Sequence, residues 1–471
     1  MERRTFLSLT GLGAAQRALT QRPSRPPNFV IVTCDDLGYG DVGCFGSRAI
    51  RTPRLDAFAR QGVRLAQCYA AAPVCSPSRA GLLTGRAPDR CGVYNWIPEG
   101  NAMHLGREET TVAAALREAG YETCLAGKWH LNGKFNDPAQ PQPPDHGFQH
   151  WFATQNNAAP SHMDPVNFVR NGKPVGPLRG HSSDLIVKEA VEWLESRAGS
   201  AKPFFLYAPF HAPHEPVAAA EEYVRMYPEA RGRGEALYYG NVTQTDAAFG
   251  RLLDYLKRAG LERNTFVLFT SDNGPETLDR YEGAWRSHGS PGPFRSMKLS
   301  LYEGGIRVPG IARMPGFTPA GGVMEEPISG VDLLPTVCAM AGVAAPRGRR
   351  LDGVDLSAGL RGERGPGRGP LHWHYFNAID APVAALREGD WKVLGICEGR
   401  AGGPGGAFEP ARDMARIRAE KLDRFELYNL ARDPYERNNL AGREKERFAA
   451  MREQLERVHA EVRSEGRDWR S

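Results

Sequence analysis

The chain has 471 residues, 41% of them hydrophobic, and its 60 basic and 55 acidic residues give a formal net charge of +5. This length and apolar content exclude disorder as the default and favour one large domain with a smaller one. Because no long block of Lys or Arg stands out, we expect no nucleic-acid partner, and any anion recognition should be local. The eight cysteines are scattered without C-x-x-C pairs, so they indicate neither a zinc site nor a dense disulfide framework.

The first 27 residues are predicted to be an export signal and spacer. Arg3 and Arg4 stand before Thr-Phe-Leu and a short, weakly apolar run, an order typical of twin-arginine signals. The run is too short to span a membrane, and no other apolar stretch is long enough. We therefore expect a periplasmic or extracellular protein without stable membrane insertion. An ordinary unstructured N-terminus is the alternative.

Residues 28–360 are predicted to form an α/β domain with a large, mainly parallel sheet sandwiched by helices. Strand-like and helix-like segments alternate along this part of the chain. The strands are expected at 28–33, 121–125, 204–207 and 265–270, and the helices at 111–119, 183–197, 236–259 and 332–341. In such folds, chemistry gathers at the carboxyl ends of the strands.

Acidic residues directly follow two of these strands. Asp35 and Asp36 follow the first, and Asp272 and Asn273 follow the strand at 265–270. If these segments meet, three carboxylates and an amide oxygen would repel one another unless a cation neutralises them. Oxygen ligands favour Ca²⁺, with Mg²⁺ as a second choice, and disfavour zinc. A simple loop and helix cap is the alternative for Asp35 and Asp36.

Cys75 begins the string Cys-Ser-Pro-Ser-Arg and is predicted to be a nucleophile. Pro77 suits the first turn of a helix, so Cys75 should lie where unpaired backbone N–H groups favour negative charge. Arg79 adds a fixed cation nearby. The alternative is a small buried hydrophobic residue.

Two further segments carry titratable groups after predicted strands. Lys128 and His130 flank a tryptophan, and a strand would project both to one side. His211 and His214 lie in a segment that we interpret as a stiff, proline-bounded loop. The alternatives are a surface lysine and partly buried, structural histidines.

Residues 361–471 are predicted to form a smaller α+β domain. Strand-like stretches at 371–376, 383–387, 391–396 and 426–429 precede a charged helix at 443–463. This order favours a small antiparallel sheet with a terminal helix. The glycine-rich piece at 399–406 is predicted to be a surface excursion.

Three strings together resemble the type I sulfatases of the alkaline phosphatase superfamily, which include the arylsulfatases. They are Cys-x-Pro-x-Arg with a trailing Leu-x-Thr-Gly, Gly-Lys-Trp-His-Leu, and a lysine, Lys298, spaced correctly before Glu-Gly-Gly-x-Arg-x-Pro. The resemblance runs from about Asn28 to Leu440. The chain departs from the family at Asn132, where a glycine is usual, which affects loop shape more than chemistry.

The resemblance implies that a formylglycine-generating or sulfatase-maturing enzyme oxidises Cys75 to formylglycine, which also contacts the metal. Its hydrate would attack sulfur with Asp272 as base, while His214 or Lys298 protonates the leaving oxygen. His130, near Arg79, would help to remove the second hydroxyl proton and expel sulfate. Lys128 would be a further cation of the site, and Glu303 and Arg307 are interpreted as a structural ion pair.

The expected substrate is a sulfated carbohydrate or another sulfate ester. Segments 94–105, 146–164 and 276–295 should form the pocket wall, because they mix tryptophans with histidines. His211 and His288 are possible substrate contacts. The competing hypotheses are a phosphonate or phosphodiester hydrolase of the same superfamily and, if Cys75 is unmodified, a non-catalytic binder of sulfated glycans.

Overall fold

A computed structural model describes residues 25–278, 280–365, 367–397 and 406–470. The predicted export signal and most of the glycine-rich piece at 399–406 lie outside these residues. Within the described ranges, no helix combines the length and apolar character needed to cross a bilayer.

The described residues form two main sheets and the helices that cover them. The strands are β1 Asn28–Asp35, β2 Val63–Leu65, β3 Cys68–Tyr69, β4 Glu122–Lys128, β5 His150–Thr154, β6 Val169–Arg170, β7 Lys173–Pro174, β8 Phe204–Pro213, β9 Thr265–Ser271, β10 Gly310–Arg313, β11 Gly322–Met324, β12 Ile328–Ser329, β13 Leu371–His374, β14 Pro382–Glu388, β15 Trp391–Ile396 and β16 Arg424–Asn429. The helices are α1 Pro53–Gln61, α2 Cys75–Thr84, α3 Val112–Glu118, α4 Ser182–Ser196, α5 Glu221–Val224, α6 Arg233–Arg258, α7 Glu303–Ile306, α8 Leu333–Ala341, α9 Ser357–Leu360, α10 Pro410–Ala419 and α11 Lys445–Glu465.

The large sheet has ten strands in the order β11-β2-β10-β9-β1-β8-β4-β5-β6-β7. Its centre, from β9 through β1, β8 and β4 to β5, is parallel. Every residue of β1 is buried, as a parallel strand covered on both faces requires. Alternate β1 residues enter two separate cores, with helices α2, α3 and α8 on one side and α1, α4 and α6 on the other. The predicted fold class is confirmed.

Strand β8 is longer than the sequence predicts. It continues from Phe204 to Pro213, so His211 belongs to a buried strand and not to a loop. The extension arises because β8 lies between β1 and β4, and Asp35 pairs with Pro213 after a register shift. Only the residues from His214 onward form the connection that the sequence analysis expected.

The four C-terminal strands form an antiparallel sheet in the order β13-β14-β15-β16. Helix α11 covers one face, where Met451 and Leu455 pack on Leu386 and Val393. The other face packs against the larger part of the protein, with Trp373 beside Tyr69. This confirms the predicted antiparallel sheet with a terminal helix, while the boundary between residues 360 and 361 stays a prediction.

A buried ion group joins this C-terminal sheet to the large domain. Lys392 Nζ lies 3.0 Å from Glu303 Oε1 and 2.9 Å from Glu436 Oε1, and all three side chains are fully buried. The expected pair of Glu303 with Arg307 is also present, at 3.4 Å. The ion group therefore fixes the two sheets relative to each other.

Replacing Lys392 with Met should lower the free energy of unfolding by about 3–5 kcal/mol, because two buried carboxylates would lose their shared cation. Denaturant unfolding measures this change. Lys188→Met is the matched control, since Lys188 is exposed and pairs only loosely with Glu192 at 3.8 Å. The Lys188→Met substitution should lower the free energy of unfolding by less than about 1 kcal/mol. An equal free energy of unfolding for the two variants would contradict a stabilising role of the Lys392 ion pairs.

Candidate active site

The acidic residues after β1 and β9 meet at one edge of the large sheet. These strands are parallel neighbours, with Cys34 paired to Ser271, so their carboxyl ends bring Asp35, Asp36, Asp272 and Asn273 together. The Asp36 backbone N–H donates to Asp272 Oδ1 at 3.2 Å, and Asn273 Nδ2 donates to Asp36 Oδ1 at 2.7 Å. All four side chains are buried.

Three cations from other elements pair with the three carboxylates. Lys298 Nζ lies 2.7 Å from Asp36 Oδ2, and Arg79 Nη2 lies 2.7 Å from Asp272 Oδ2. Lys128, the last residue of β4, donates to Asp35 Oδ2. The repulsion expected from the sequence is therefore already balanced by the chain itself, so a divalent cation at this edge would make the site net positive.

The neighbouring carboxylates Asp35 and Asp272 differ in acidity. Burial and the charge of Asp35 raise the pKa of Asp272 to about 7. Burial also opposes ionisation of Asp35, but Lys128, His214 and Arg79 outweigh it and hold its pKa well below the usual value. Because the two pKa values differ in this way, Asp35 can keep its negative charge while Asp272 exchanges a proton.

Two oxygens of this group indicate that a metal fits. Asp35 Oδ1 and Asn273 Oδ1 are buried without a hydrogen-bond partner, and the nearest guanidinium nitrogen of Arg79 is 3.7 Å from Asp35 Oδ1. Donor atoms of Asp35, Asp36, Cys75 and His214 lie within 4.8 Å of one another. Buried oxygens without partners are costly, and a hard divalent cation would satisfy them.

Cys75 is the first residue of α2 and lines a cleft of about 570 Å³. The helix start confirms the predicted position. However, burial raises the pKa of the thiol to about 12, and Lys128 and Lys298 only partly offset this. An unmodified thiol would therefore remain protonated at neutral pH and be a weak nucleophile.

His130 and His214 both line this cleft. His130 Nε2 lies 3.1 Å from the Ile97 carbonyl and must donate to it, which leaves the buried Nδ1 without a partner and able to accept a proton. Burial, with Lys128 and Arg79, lowers the pKa of His130 well below its usual value. His214 Nε2 lies 3.6 Å from Asp36 Oδ2.

Backbone strain is concentrated around these groups. Asp36, His130 and Leu299 all have positive φ angles, of 65°, 54° and 67°. Non-glycine residues rarely adopt this region, and a leucine there is an outlier. Leu299 follows Lys298 and donates its N–H to the Pro73 carbonyl at 2.8 Å, which fixes the lysine loop against the segment before Cys75. Strain of this kind is typical of functional sites.

The cleft walls come partly from the segments predicted to form them. Trp96, Tyr281 and Trp285 line the cleft together with Arg280 and Arg286. Asn157 also lines it, and its side-chain oxygen lies 3.3 Å from Lys128 Nζ. Sequence reasoning did not single out Asn157, Arg280 or Arg286, because polar residues in loops carry no motif. The sequence signal available for these three residues was their position in segments that contain tryptophans and were predicted to form the pocket wall.

Several histidines lie elsewhere than expected. His211 is fully buried, bonds Thr154 Oγ1 at 2.7 Å and packs on Phe168, because β8 carries it into the interior. His288 lies beside Glu235 and lines a neighbouring cavity rather than the main cleft. His162 supports the His214 carbonyl at 2.7 Å, and Trp151 is in the core. Neither His211 nor His288 lines the main cleft as described, and their role as substrate contacts stays a prediction.

The fold and this site define an enzyme of the alkaline phosphatase-like superfamily that handles an anionic ester. The sulfatase family model matches residues 27–343. Human arylsulfatase A is 35% identical over 455 residues, covering 89% of this chain and 84% of that protein. N-acetylgalactosamine-6-sulfatase of Sus scrofa is 31% identical over 469 residues, covering 94% of this chain and 86% of that protein. The solved structure of Ps i-CgsB in complex with k-i-k-neocarrahexaose has a TM-score of 0.78 and 27% sequence identity, and the match covers 92% of this chain and 93% of that one.

The chain belongs to the sulfatase family and is a sulfuric ester hydrolase. The type I members of this family generally use a formylglycine and a divalent metal. The predicted family and reaction are thereby confirmed.

Proposed function

We propose that this protein removes sulfate from a carbohydrate sulfate ester, with Cys75 converted to formylglycine and Ca²⁺ bound beside it. The observation that carries the proposal is the position of Cys75. Cys75 lines the cleft and, at the same time, its sulfur lies within 4.8 Å of donor atoms of Asp35, Asp36 and His214. The oxidised residue would supply the nucleophile that the buried thiol lacks.

Asp35, Asp36, Asp272 and Asn273 would hold the metal. Their donors are all oxygens, which favours Ca²⁺ and leaves Mg²⁺ as the second choice. Bound there, the cation would stabilise the negative charge on the sulfate oxygens.

The remaining polar groups of the chain position charge and move protons. Lys298, which lines the cleft, and Lys128, which contacts Asp35, would bind the sulfate oxygens as fixed cations. His214, on the cleft wall, would protonate the leaving oxygen together with Lys298. Asp272 and the free Nδ1 of His130 would accept protons on the opposite side. Arg79 would hold Asp272 and the Lys128 backbone in place.

The cleft favours a sugar as the group that carries the sulfate. Trp285 is 54% exposed on the wall, with the Arg286 guanidinium 4.9 Å from its ring, and Trp96 and Arg280 line the same space. Aromatic faces and fixed cations suit the apolar faces and negative groups of a sulfated sugar. Two of the similar proteins have names that specify a sulfated hexosamine or a carrageenan oligosaccharide.

Maturation and export belong to the same proposal. A formylglycine-generating or sulfatase-maturing enzyme would recognise the Cys75 segment before folding, since the folded thiol is 97% buried. Residues 1–27 would direct the chain to the periplasm or the exterior through a twin-arginine pathway.

Desulfation of a panel of defined sulfated mono- and oligosaccharides tests this function. The protein must be produced with a maturing enzyme, and mass spectrometry of the peptide containing Cys75 must show the aldehyde. We expect release of sulfate from at least one sugar sulfate and from an aryl sulfate. Faster cleavage of a phosphonate monoester than of any sulfate ester would contradict the proposed specificity. Glycan binding without turnover by the aldehyde form would favour a binding protein.

Trp285→Ala should raise KM for a sulfated oligosaccharide about 10-fold while leaving that for a small aryl sulfate nearly unchanged, because the indole lies on the outer wall of the cleft. Steady-state kinetics with both substrates measure the difference. Trp193→Ala is the matched control, since Trp193 also stacks with an arginine, Arg197, but lies outside the cleft. An equal change for both substrates would rule out a sugar-binding role for Trp285.

A further inference from the structure

A second group of potential metal ligands lies in the C-terminal part, outside the cleft. It contains His374 on β13, Glu420 directly after α10, and His459 on α11. One donor atom of each lies within 4.8 Å of the others. Their side chains are only 2%, 8% and 5% exposed. The sulfatase chemistry described above uses none of them.

The distances in this group match those between ligands of a tetrahedral metal. His374 Nε2 lies 3.0 Å and His459 Nε2 lies 3.2 Å from the same oxygen, Glu420 Oε1. Metal bonds of 2.0–2.1 Å at tetrahedral angles place neighbouring ligands roughly 3.3 Å apart. In addition, the His374 contact lacks the alignment of a hydrogen bond, although its Nε2 is buried. Both imidazole nitrogens are thus directed at the region of Glu420 Oε1, with which His459 Nε2 also makes a hydrogen bond.

The outer contacts are those of a histidine that binds a metal. The other ring nitrogen of His374, Nδ1, bonds the Asp89 carboxylate. A ligating histidine commonly uses its second nitrogen in this way, which fixes the ring and raises its basicity. His372, two residues earlier on the same face of β13, adds a further imidazole near His459, and both of its ring nitrogens are buried without partners.

We propose that His374, Glu420 and His459 bind one Zn²⁺ ion, with Asp89 as the outer partner of His374. Two imidazoles and a carboxylate suit zinc, whereas the oxygen-rich group at the cleft suits Ca²⁺. The positive charge of Arg463 opposes a cation at this site, because its Nη1 lies 3.4 Å from His459 Nε2. The same guanidinium also donates to the Glu420 carbonyl, and this hydrogen bond can stay in place when a metal binds. The negative charges of Asp89 and Glu420 offset the positive charge of Arg463.

The position of the group gives the ion a structural role. Asp89 lies in the short 3-10 helix Pro88–Cys91, which follows the helix that begins with Cys75. The zinc would thus join β13 and α11 of the C-terminal part to the segment behind the nucleophile helix. Without metal, the same residues would form an ion group in which Asp89 and Glu420 hold His374 as an imidazolium.

Zinc binding to the full chain in excess Ca²⁺ tests the proposal. After chelation, the chain is loaded with Zn²⁺ in excess Ca²⁺ and gel-filtered, after which one Zn²⁺ should remain per chain, and the unfolding midpoint should rise by roughly 3–5 °C at a free Zn²⁺ concentration of 100 times the Kd. His459→Gln and Glu420→Gln should each weaken binding by at least about 100-fold, since losing even an outer partner costs about 10–100-fold. Asp89→Asn should weaken it about 10–100-fold.

Two controls separate this site from other zinc ligands. His104→Gln changes a histidine outside the group and should leave binding unchanged, as should Asp36→Asn in the cleft. X-ray absorption at the zinc edge of the unmutated protein should show imidazole ligands and no sulfur. Absence of tight zinc, retention of it in both His459→Gln and Glu420→Gln, loss of it in Asp36→Asn, or sulfur ligation would each overturn the proposal.

Discussion

Cys75→Ala should abolish sulfate-ester hydrolysis, lowering kcat by at least about 10⁴-fold. The reason is that, among the described residues that line the cleft, no other Cys, Ser or Thr is present, and Cys75 also lies among the metal-binding donors. Cys75 belongs to a buried cluster with Val74 and Leu299, but the change removes only one sulfur atom, and the contacts of its helix with the main core come from later residues, so the fold should stay intact. Kinetics with an aryl sulfate, together with circular dichroism, measure both effects.

Cys124→Ala is the matched control for this change. Cys124 is also fully buried, in the middle of β4, but it faces the apolar core between the sheet and its helices. This variant should retain activity within about twofold and lose only a modest amount of stability. Activity in Cys75→Ala comparable to that of Cys124→Ala would remove the basis of the proposed mechanism.

Asp36→Asn should remove the bound divalent cation and lower kcat/KM by at least about 100-fold. Asp36 accepts from Lys298 and Asn273 and lies 3.6 Å from His214, so its charge organises three other groups of the site. The substitution keeps the shape of the side chain while removing that charge. Elemental analysis for calcium and magnesium and activity after chelation and metal restoration provide the measurement.

Asp246→Asn controls for the loss of a buried carboxylate elsewhere. Asp246, on α6, is equally buried and accepts from the backbone N–H groups of Arg54 and Leu55. Its loss should lower stability by about 1–3 kcal/mol while leaving the metal content unchanged. If Asp36→Asn kept its metal and its activity, the oxygen group at the ends of β1 and β9 would not be the metal site.

The charge balance of the site connects these two predictions. Asp35, Asp36 and Asp272 each have a cationic partner from a distant part of the chain: Lys128, Lys298 and Arg79. A divalent cation added to this balanced group leaves a net positive site in a cleft of about 570 Å³. Such a site attracts a sulfate ester and stabilises negative charge that develops during its cleavage.

The sequence by itself determined the fold class and the meeting of the polar residues that follow β1 and β9. Apolar β-branched runs such as 28–33 and 265–270 favour buried strands, and in a parallel sheet the carboxyl ends of neighbouring strands meet at one edge. The position of Cys75 at a helix start followed from Pro77 in the same way. These features depend on local geometry, which neighbouring residues encode.

Only the tertiary structure decided the contacts between distant segments. The length of β8 depended on pairing with β1 and β4, and this placed His211 in the interior. The thiol pKa of Cys75 depended on burial by surrounding elements, which outweighed the helix start. The group of His374, Glu420 and His459 was missed because its residues come from a strand, a loop and a helix without any shared spacing. Such contacts are set by packing over the whole chain, and no local pattern records them.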